Sequence, residues 1–210
     1  MCDANTITDP NGVSTWGNPE EEYASTVELG RLATLALYEE DRSLFAAMKG
    51  GAGTRFAKES AGLTYWLYET TMVYFIFKAW AARFYVRWDW EPAPPRNASR
   101  RVGLLDMAVA IGQDEPNLAF EAKWWNNAKG ELSMSEDAKR LQAWVAQQAG
   151  RRGFLMAFWW SDANQIDADM RKATAHPVAK GWTHVFRGSF LTNRAQNDTT
   201  RRFFIEIIKV

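Results

Sequence analysis

The sequence contains few residues of the types that bind structural zinc or form disulfides. It has one cysteine, Cys2, and two histidines, His176 and His184, among 210 residues. A single cysteine excludes a disulfide within the chain, and too few cysteines and histidines are present for a structural zinc site. A reducing, cytoplasmic location is therefore expected. The first twelve residues are polar, which is not typical of a signal peptide.

Long hydrophobic runs are also missing. The most apolar stretch, Leu63–Val86, is interrupted by Glu69, Lys78 and Arg83. A helix that crosses a membrane needs about 20 predominantly apolar residues, so we expect no membrane partner. The hydrophobic content of 47% is ordinary for a globular protein, and the chain is long enough to bury a sizeable core.

The net charge of the chain is zero, with 25 basic and 25 acidic residues, but the charges are unevenly distributed. Residues 1–63 carry 5 Lys and Arg against 10 Asp and Glu, whereas residues 126–210 carry 13 against 8. One interpretation is a positive face on a neutral protein, which would suit a polyanion. The other is that two solvated surfaces differ in charge without any role in binding.

The spacing of apolar residues predicts alternating helices and strands. After a turn-rich lead-in at residues 1–19, helices are predicted at Glu20–Met48 and Lys58–Ala82, and a half-exposed strand at Phe84–Glu91. The predicted elements after residue 125 are a loop at Asn126–Ser135, a helix capped by Ser135 that ends at Gly150, a buried strand at Gly153–Trp160, a helix at Ala163–Ala175, and strands at Thr183–Leu191 and Phe203–Val210.

This order of elements predicts an α/β protein with a mixed central β-sheet flanked by helices. We expect a single domain over residues 1–210. Within it, residues 1–63 would form an N-terminal helical extension and residues 64–160 the core. Residues 161–210 would add a C-terminal helix and strands that complete the sheet.

Residues 103–125, GLLDMAVAIGQDEPNLAFEAKWW, are predicted to form two short strands joined by a turn at Gly112–Asn117. Side chains alternate between the two faces of a strand. Asp106 on the first strand, and Glu121 and Lys123 on the second, therefore lie opposite the more apolar faces of their strands. Three charges on an otherwise apolar hairpin indicate either a functional site or an exposed, ion-paired patch of little energetic value.

The register of this hairpin decides whether the three charges meet. Pairing Ile111 with Leu118 around the turn would place Asp106 opposite Lys123, with Glu121 beside them. Residues directly opposite each other project to the same face, with Cβ atoms roughly 5 Å apart. A slip by one residue would bury the charges under the hydrophobic face, so the register is strongly specified. The three charged groups are therefore predicted to converge.

The pattern around this hairpin resembles the restriction-endonuclease-like PD-(D/E)XK nuclease superfamily. The resemblance rests on Asp106, followed after fourteen residues by Glu121-Ala122-Lys123, and covers roughly residues 64–160. The proline that precedes the first acid in the family is Leu105 in this chain. The resemblance implies a restriction-endonuclease-like core, with the order αβββαβ, and a metal-dependent nuclease that hydrolyses phosphodiester bonds.

The resemblance also implies which residues carry the chemistry. Asp106 and Glu121, with the carbonyl of Ala122, would hold Mg²⁺ or Mn²⁺, because these ions prefer oxygen ligands. Lys123 would be catalytic, and its role is expected to be positioning and electrostatic rather than that of a free base, because neighbouring carboxylates raise the pKa of a lysine. Glu69 would be the fourth catalytic group. For Glu69 the alternative is a structural carboxylate that pairs with a basic residue.

The expected substrate is nucleic acid, with DNA favoured. Lys139 and Arg140 on the following helix, and Arg100 and Arg101 before the hairpin, would contact it. Glu39 would replace Glu69 as the fourth group if Thr70–Phe77 formed a strand. A homodimer would fit an enzyme that must cut two strands.

Two alternatives to this function stay open. One is a catalytically inactive protein of the same fold that binds nucleic acid or a protein partner. The other is cleavage of RNA, since no residue pattern in the sequence distinguishes a 2′-hydroxyl.

Overall fold

The computed structural model describes residues 6–50, 69–90, 105–125, 128–162, 164–192 and 201–210. The side chains at 49–50, 89–90 and 128–133 lie outside this description. The proline-rich turn and the part of the helix predicted before Glu69 also lie outside the described residues.

In the described part of the chain, eight strands form one sheet in the order β1-β2-β7-β8-β6-β5-β4-β3. The pair β5 and β6 is parallel and every other neighbouring pair is antiparallel, which confirms the predicted mixed sheet. The strands are β1 (Thr6–Thr8), β2 (Ser14–Gly17), β3 (Tyr85–Trp90), β4 (Leu105–Ala110), β5 (Leu118–Trp124), β6 (Arg152–Asp162), β7 (Thr183–Leu191) and β8 (Arg201–Lys209).

Within the described residues, four α-helices cover the two faces of the sheet, which confirms the α/β class. The helices are α1 (Ala24–Gly50), α2 (Glu69–Ala81), α3 (Ala128–Val145) and α4 (Ile166–Ala179). Helices α1 and α2 pack on one face, and helices α3 and α4 pack on the other. Over the described ranges, none of the helices combines the length and the apolar character that a bilayer crossing needs.

The first face of the sheet carries the larger hydrophobic core. Aromatic and aliphatic side chains from α1 and α2 pack there on Phe120 and Phe154, whose rings stack 5.2 Å apart. Trp80 of α2 is fully buried, and its Nε1 donates a hydrogen bond to the carbonyl oxygen of Leu29 at 2.8 Å. Helix α1 is therefore an integral part of the core.

The second face carries the smaller core, under α3 and α4. Trp159 of β6 and Phe204 of β8 stack there with ring centroids 3.9 Å apart. Leu141 and Trp144 of α3 are fully buried against the same face. The charged residues of the predicted hairpin project from this face.

Over residues 6–17, the structure corrects the loose lead-in that was predicted for residues 1–19. Strands β1 and β2 form a hairpin, and β2 pairs with β7 at the edge of the main sheet. The Asp9 carboxylate accepts hydrogen bonds from the backbone N–H groups of Asn11 and Val13, and Gly12 takes a φ of 79°. The sequence signal for a turn was thus correct, but the flanking strands of three and four residues are too short to show a period.

The boundaries of α3 and α4 also differ from the prediction. Helix α3 begins at Ala128, so the loop predicted at Asn126–Ser135 is wrong over residues 128–135, and so is the predicted cap at Ser135. The extra turns are polar, and Met134 is placed one turn before the buried Ala138 on the same face. Helix α4 continues past its predicted end at Ala175 and includes Pro177.

Candidate active site

Strands β4 and β5 pair in a register two residues away from the predicted one. Val109 lies opposite Leu118, so the predicted pairing of Ile111 with Leu118 is wrong. The cause is Asn117, whose side chain accepts a hydrogen bond from the N–H of Ile111 and donates one to its carbonyl oxygen. Asn117 thus closes the turn with its side chain. Because the shift is even, every side chain keeps its predicted face.

Asp106 lies at the start of β4, beside Glu121 of β5 in the observed register. Its Oδ2 accepts a hydrogen bond of 2.7 Å from the backbone N–H of Ala122. Burial raises the pKa of Asp106; the bond from Ala122 opposes this, and the nearby charge of Glu69 adds to it. Asp106 is therefore a half-buried carboxylate with incomplete compensation for its charge.

Glu121 is almost completely buried, with 2% of its surface exposed. Its Oε1 accepts a hydrogen bond of 3.1 Å from Nε of Arg140 on α3. Burial raises the pKa of Glu121 to about 8, against the hydrogen bond from Arg140, and the charge of Asp106 contributes to the rise. Pairing with one guanidinium thus does not offset the loss of water around this carboxylate.

Lys123 connects the two sides of the site. Its Nζ lies 3.2 Å from Oε1 of Glu69 and 3.5 Å from Oδ2 of Asp137. Burial acts to lower the pKa of Lys123, but the carboxylates of Glu69, Asp137 and Asp106 outweigh it, so the pKa is raised. The ammonium form is therefore dominant at neutral pH, as the neighbouring acids predicted.

Glu69 is the first residue of α2, and it reaches the end of β5. Besides the contact with Lys123, its Oε2 accepts a hydrogen bond of 2.8 Å from the backbone N–H of Trp124. The predicted association of Glu69 with the hairpin charges is therefore present. Residues 70–77 are helical and Glu39 is exposed, so the fallback to Glu39 does not apply.

Asp137 completes the cluster, and it was not predicted as a site residue from the sequence. Its side chain is 4% exposed, and its Oδ1 lies 2.6 Å from an Nη atom of Arg140, one turn further along α3. Its Oδ2 is buried and accepts no hydrogen bond, although Lys123 Nζ is within ion-pair distance. Burial raises the pKa of Asp137, with Lys123 and Arg140 opposing. An i, i+3 pair of opposite charges on α3 was the available signal, but it is common on solvated helix faces.

The remaining predicted residues differ in where they lie relative to this cluster. Lys139 is exposed, next in sequence to Arg140 but on another side of α3. Ala122 is buried under the first core, and its N–H serves Asp106. Arg100 and Arg101 lie outside the described residues.

The cluster holds more negative than positive charge. Four carboxylates, those of Glu69, Asp106, Glu121 and Asp137, face two cations, Lys123 and Arg140. An exposed ion-paired patch is therefore the wrong description, because two of the carboxylates are almost fully buried. Three of the carboxylates have raised pKa values, because the two cations do not offset the burial of these groups.

A divalent cation is one way to supply that positive charge. Among the residues that the structure describes, no three His, Cys, Asp or Glu side chains are grouped closely enough to hold a metal by themselves. Asp106 and Glu121 form a pair, and Mg²⁺ commonly uses one or two carboxylates while keeping several waters. The donor set therefore fits Mg²⁺ or Mn²⁺ held by two carboxylates.

Comparisons of the chain with protein-family models, with curated proteins and with solved structures found no match. The resemblance to the nuclease superfamily therefore stays a prediction that rests on Asp106, Glu121 and Lys123. The fold and the site together define an α/β protein with a mixed sheet and a carboxylate–lysine cluster on one of its faces.

Proposed function

We propose that this protein is a metal-dependent nuclease that hydrolyses phosphodiester bonds, with DNA as the expected substrate and a restriction-endonuclease-like core. The observation that carries the proposal is the convergence of Asp106, Glu121 and Lys123 on one face of β4 and β5, in a cluster with surplus negative charge. Perturbed pKa values of this kind concentrate at functional sites. Burying two carboxylates without enough positive charge lowers stability. A role of these carboxylates in binding or catalysis would account for that cost.

Asp106 and Glu121 would hold the Mg²⁺ or Mn²⁺ ion, with the Ala122 carbonyl oxygen as the expected third ligand. When bound, the metal supplies Lewis-acid polarisation of the phosphate and lowers the pKa of the attacking water. Hydrolysis would form a bond from a water oxygen to phosphorus and break the bond from phosphorus to the leaving oxygen. The proton that the water releases would balance the one that the leaving oxygen takes up.

Lys123 and Arg140 would act on the phosphate as fixed positive charges. The raised pKa keeps the Nζ of Lys123 protonated, so it can donate a hydrogen bond to the reacting group but cannot act as a base at neutral pH. Glu69 and Asp137 hold Nζ from two sides, which orients it. Positive charge held in place before the reaction stabilises the negative charge that develops on the phosphate oxygens.

The test compares cleavage of plasmid DNA, single-stranded DNA and RNA in Mg²⁺, in Mn²⁺ and in EDTA. We expect cleavage of DNA with either metal and none in EDTA. Asp106→Asn, Glu121→Gln and Lys123→Met should each lower the rate by at least about a hundredfold, the size of a lost electrostatic or acid–base contribution. Glu115→Gln, which removes an exposed acid from the turn of the same hairpin, is the matched control and should cleave normally.

Unchanged cleavage by all three site variants would disprove this assignment of the site. Cleavage of RNA alone would retain the site and correct the substrate.

A second candidate function is that of a catalytically inactive protein with this fold that binds nucleic acid or a protein partner. The observation that favours it is the ion-pair network, in which Lys123 contacts two carboxylates and Arg140 contacts Glu121 and Asp137. Such a network can be purely structural. Binding of DNA without cleavage in any metal would favour this candidate over the nuclease.

A further inference from the structure

A second region of the same face has a different chemistry. An open groove of about 1090 Å³ lies between helix α4 and the outer strands β2, β7 and β8. This volume is slightly larger than the usual range of about 300 to 1,000 Å³ for sites that bind small organic ligands. The groove and the candidate active site are about three strand steps apart across the sheet, or roughly 14 Å at the usual strand spacing.

The floor of the groove is built on a buried ion cluster. Glu206 of β8 is fully buried, and its carboxylate accepts hydrogen bonds from Arg187 Nε at 2.6 Å and Trp159 Nε1 at 3.3 Å. The Nε2 of His184 contacts the other carboxylate oxygen. Burial acts to raise the pKa of Glu206, but His184 and Arg187 outweigh it, and the pKa is lowered. This carboxylate is therefore ionised and fully used within the protein.

An irregularity in β7 makes the cluster possible. The register against β8 shifts by one residue between His184 and Phe186, as in a β-bulge. In a regular strand, His184 and Arg187 would project to opposite faces, because they are three residues apart. The shift places both on the groove face, opposite Ile208 and Glu206 respectively.

The cluster holds an aromatic platform in the groove. The ring of Trp16 on β2 stacks on His184, with centroids 5.3 Å apart and planes 18° from parallel. Trp16 pairs with Arg187 in the sheet and lines the groove. A tryptophan fixed on one side by a stacked ring offers a surface on which a planar ligand can stack at little entropic cost.

A cation without a carboxylate lies beside this platform. Arg202 of β8 is half-buried in the groove, and its described polar contact is a hydrogen bond of 3.0 Å to the hydroxyl of Ser189. By contrast, Arg140, Arg187 and Arg201 each contact a carboxylate. Arginine is rarely buried unless it is paired, and within the described part of the chain no carboxylate lies on Arg202. Burial alone lowers its pKa. The guanidinium therefore has donors left for an anion.

The platform and the cation lie on three neighbouring strands of one groove. Ser189, which accepts a hydrogen bond from Arg202, pairs with Ser14 on β2, two residues from Trp16 and on the same face. An aromatic surface and a cation in one groove suit a ligand that joins a planar base to an anionic phosphate. Ser14 and Thr174 line the same groove, and their side chains carry neutral hydrogen-bonding groups.

We propose that this groove binds a nucleoside 5′-phosphate, with the base stacked on Trp16 and the phosphate held by Arg202. The acids near the groove do not oppose the phosphate, since Glu206 is neutralised by its partners and Asp167 is exposed at the rim. A bidentate contact from a guanidinium is the geometry that phosphates favour. The site is separate from the carboxylate cluster and does not depend on its chemistry.

The test is calorimetric titration of the full chain with the four nucleoside 5′-monophosphates, with adenosine and with inorganic phosphate, in EDTA so that the carboxylate cluster stays metal-free. We expect at least one monophosphate to bind more tightly than adenosine or inorganic phosphate. Arg202→Gln should weaken monophosphate binding about tenfold or more and leave adenosine binding unchanged. Trp16→Leu should weaken both. Lys180→Gln, an exposed cation near the same helix but outside the groove, is the matched control.

Two further ligands distinguish a free nucleotide from the 5′ end of a nucleic-acid strand. They are a trinucleotide with a 5′-phosphate and the same trinucleotide with a 5′-hydroxyl. Tighter binding of the phosphorylated trinucleotide than of the monophosphates would identify the end of a strand, and the reverse order a free nucleotide. No binding of any phosphorylated ligand, or equal binding by the Arg202→Gln protein with an unchanged melting temperature, would overturn the proposal. Loss of cleavage activity would leave it intact.

Discussion

Glu121 is a residue whose burial works against the stability of the folded protein. Its carboxylate is desolvated on β5 beside Asp106, and the one guanidinium that contacts it does not restore the ordinary pKa. Replacement of such a group by a neutral side chain of similar shape is often stabilising, because the cost of removing the charge from water disappears. A cation at the site would have the same effect without any substitution.

Glu121→Gln is expected to raise the stability of the protein above neutral pH. Because the folded-state pKa of Glu121 is raised to about 8, the folded protein holds a proton that the unfolded chain releases near 4.5. The wild type therefore loses stability as pH rises from about 4.5 to about 8, and the loss is complete above that value. We expect the variant to be more stable by a few kcal/mol, on the order of 2 to 4, at pH 8.5, and by much less at pH 4. Urea denaturation at several pH values measures this.

Glu115→Gln controls for the general effect of removing an acid, and it should change stability by less than about 0.5 kcal/mol. Equal stability of the wild type and Glu121→Gln at every pH would contradict the raised pKa.

The sequence predicted some members of this cluster and not others, for reasons that are visible at the residue scale. Parity alone placed Asp106, Glu121 and Lys123 on one face, because a strand has a period of two. Asp137 could not be found this way, because its place depends on the rotation of α3 over the sheet. That rotation is set by the packing of side chains such as Leu141 in the core.

At the scale of elements, turn chemistry decided what periodicity could not. Two registers of β4 on β5 that differ by two residues give the same faces, and the hydrophobic pattern cannot distinguish them. The side chain of Asn117 selects one register by its two hydrogen bonds to Ile111. Similarly, an irregularity of one residue in β7 leaves an apolar run that still reads as a strand, although it changes which groups meet on Glu206.

Glu206→Ala is expected to destabilise the protein strongly, because it leaves Arg187 and His184 without their buried carboxylate. Breaking one partner of a buried ion pair costs about 3 to 5 kcal/mol. The lowered pKa of Glu206 gives a pH dependence of the opposite sign to that of Glu121. Its contribution is complete above the ordinary pKa near 4.5 and is lost as pH falls through the lower, folded-state value. Urea denaturation at pH 7 and in acid measures both effects.

The double variant Glu206→Ala with Arg187→Leu separates the ion pair from simple loss of packing. Because it removes both partners, it should recover part of the stability that Glu206→Ala loses. Together with the single variant Arg187→Leu, it closes a double-mutant cycle that gives the coupling energy. If the two substitutions were simply additive, Glu206 and Arg187 would not stabilise each other.

At the scale of the whole molecule, one face of the sheet carries two sites of opposite electrostatic demand. The cluster at β4, β5 and α3 lacks positive charge, whereas the groove at β2, β7 and β8 holds an arginine that lacks negative charge. The mixed sheet between helices followed from the order of elements in the sequence. The groove did not, because Trp16 reaches it through β2, a strand of four residues that pairs with a partner some 170 residues later in the chain.

Thermal unfolding of the full chain can test both sites independently. A ligand that binds only the folded state stabilises it by about 2.7 kcal/mol at a hundred times its dissociation constant. For a protein of this size, each kcal/mol raises the melting temperature by about 2 to 4 °C. We expect Mg²⁺ to raise the melting temperature at pH 8.5, and to raise it less at pH 6, where Glu121 holds its proton.

Asp106→Asn should abolish the shift caused by Mg²⁺ and leave the shift caused by a nucleoside monophosphate in EDTA unchanged. Arg202→Gln should show the reverse pattern, because its guanidinium lies in the groove and outside the carboxylate cluster. An Mg²⁺ shift of equal size in wild type and Asp106→Asn would mean that the metal binds elsewhere. The surplus negative charge would then have only the internal cations Lys123 and Arg140 to offset it, and the ion-pair network would be structural.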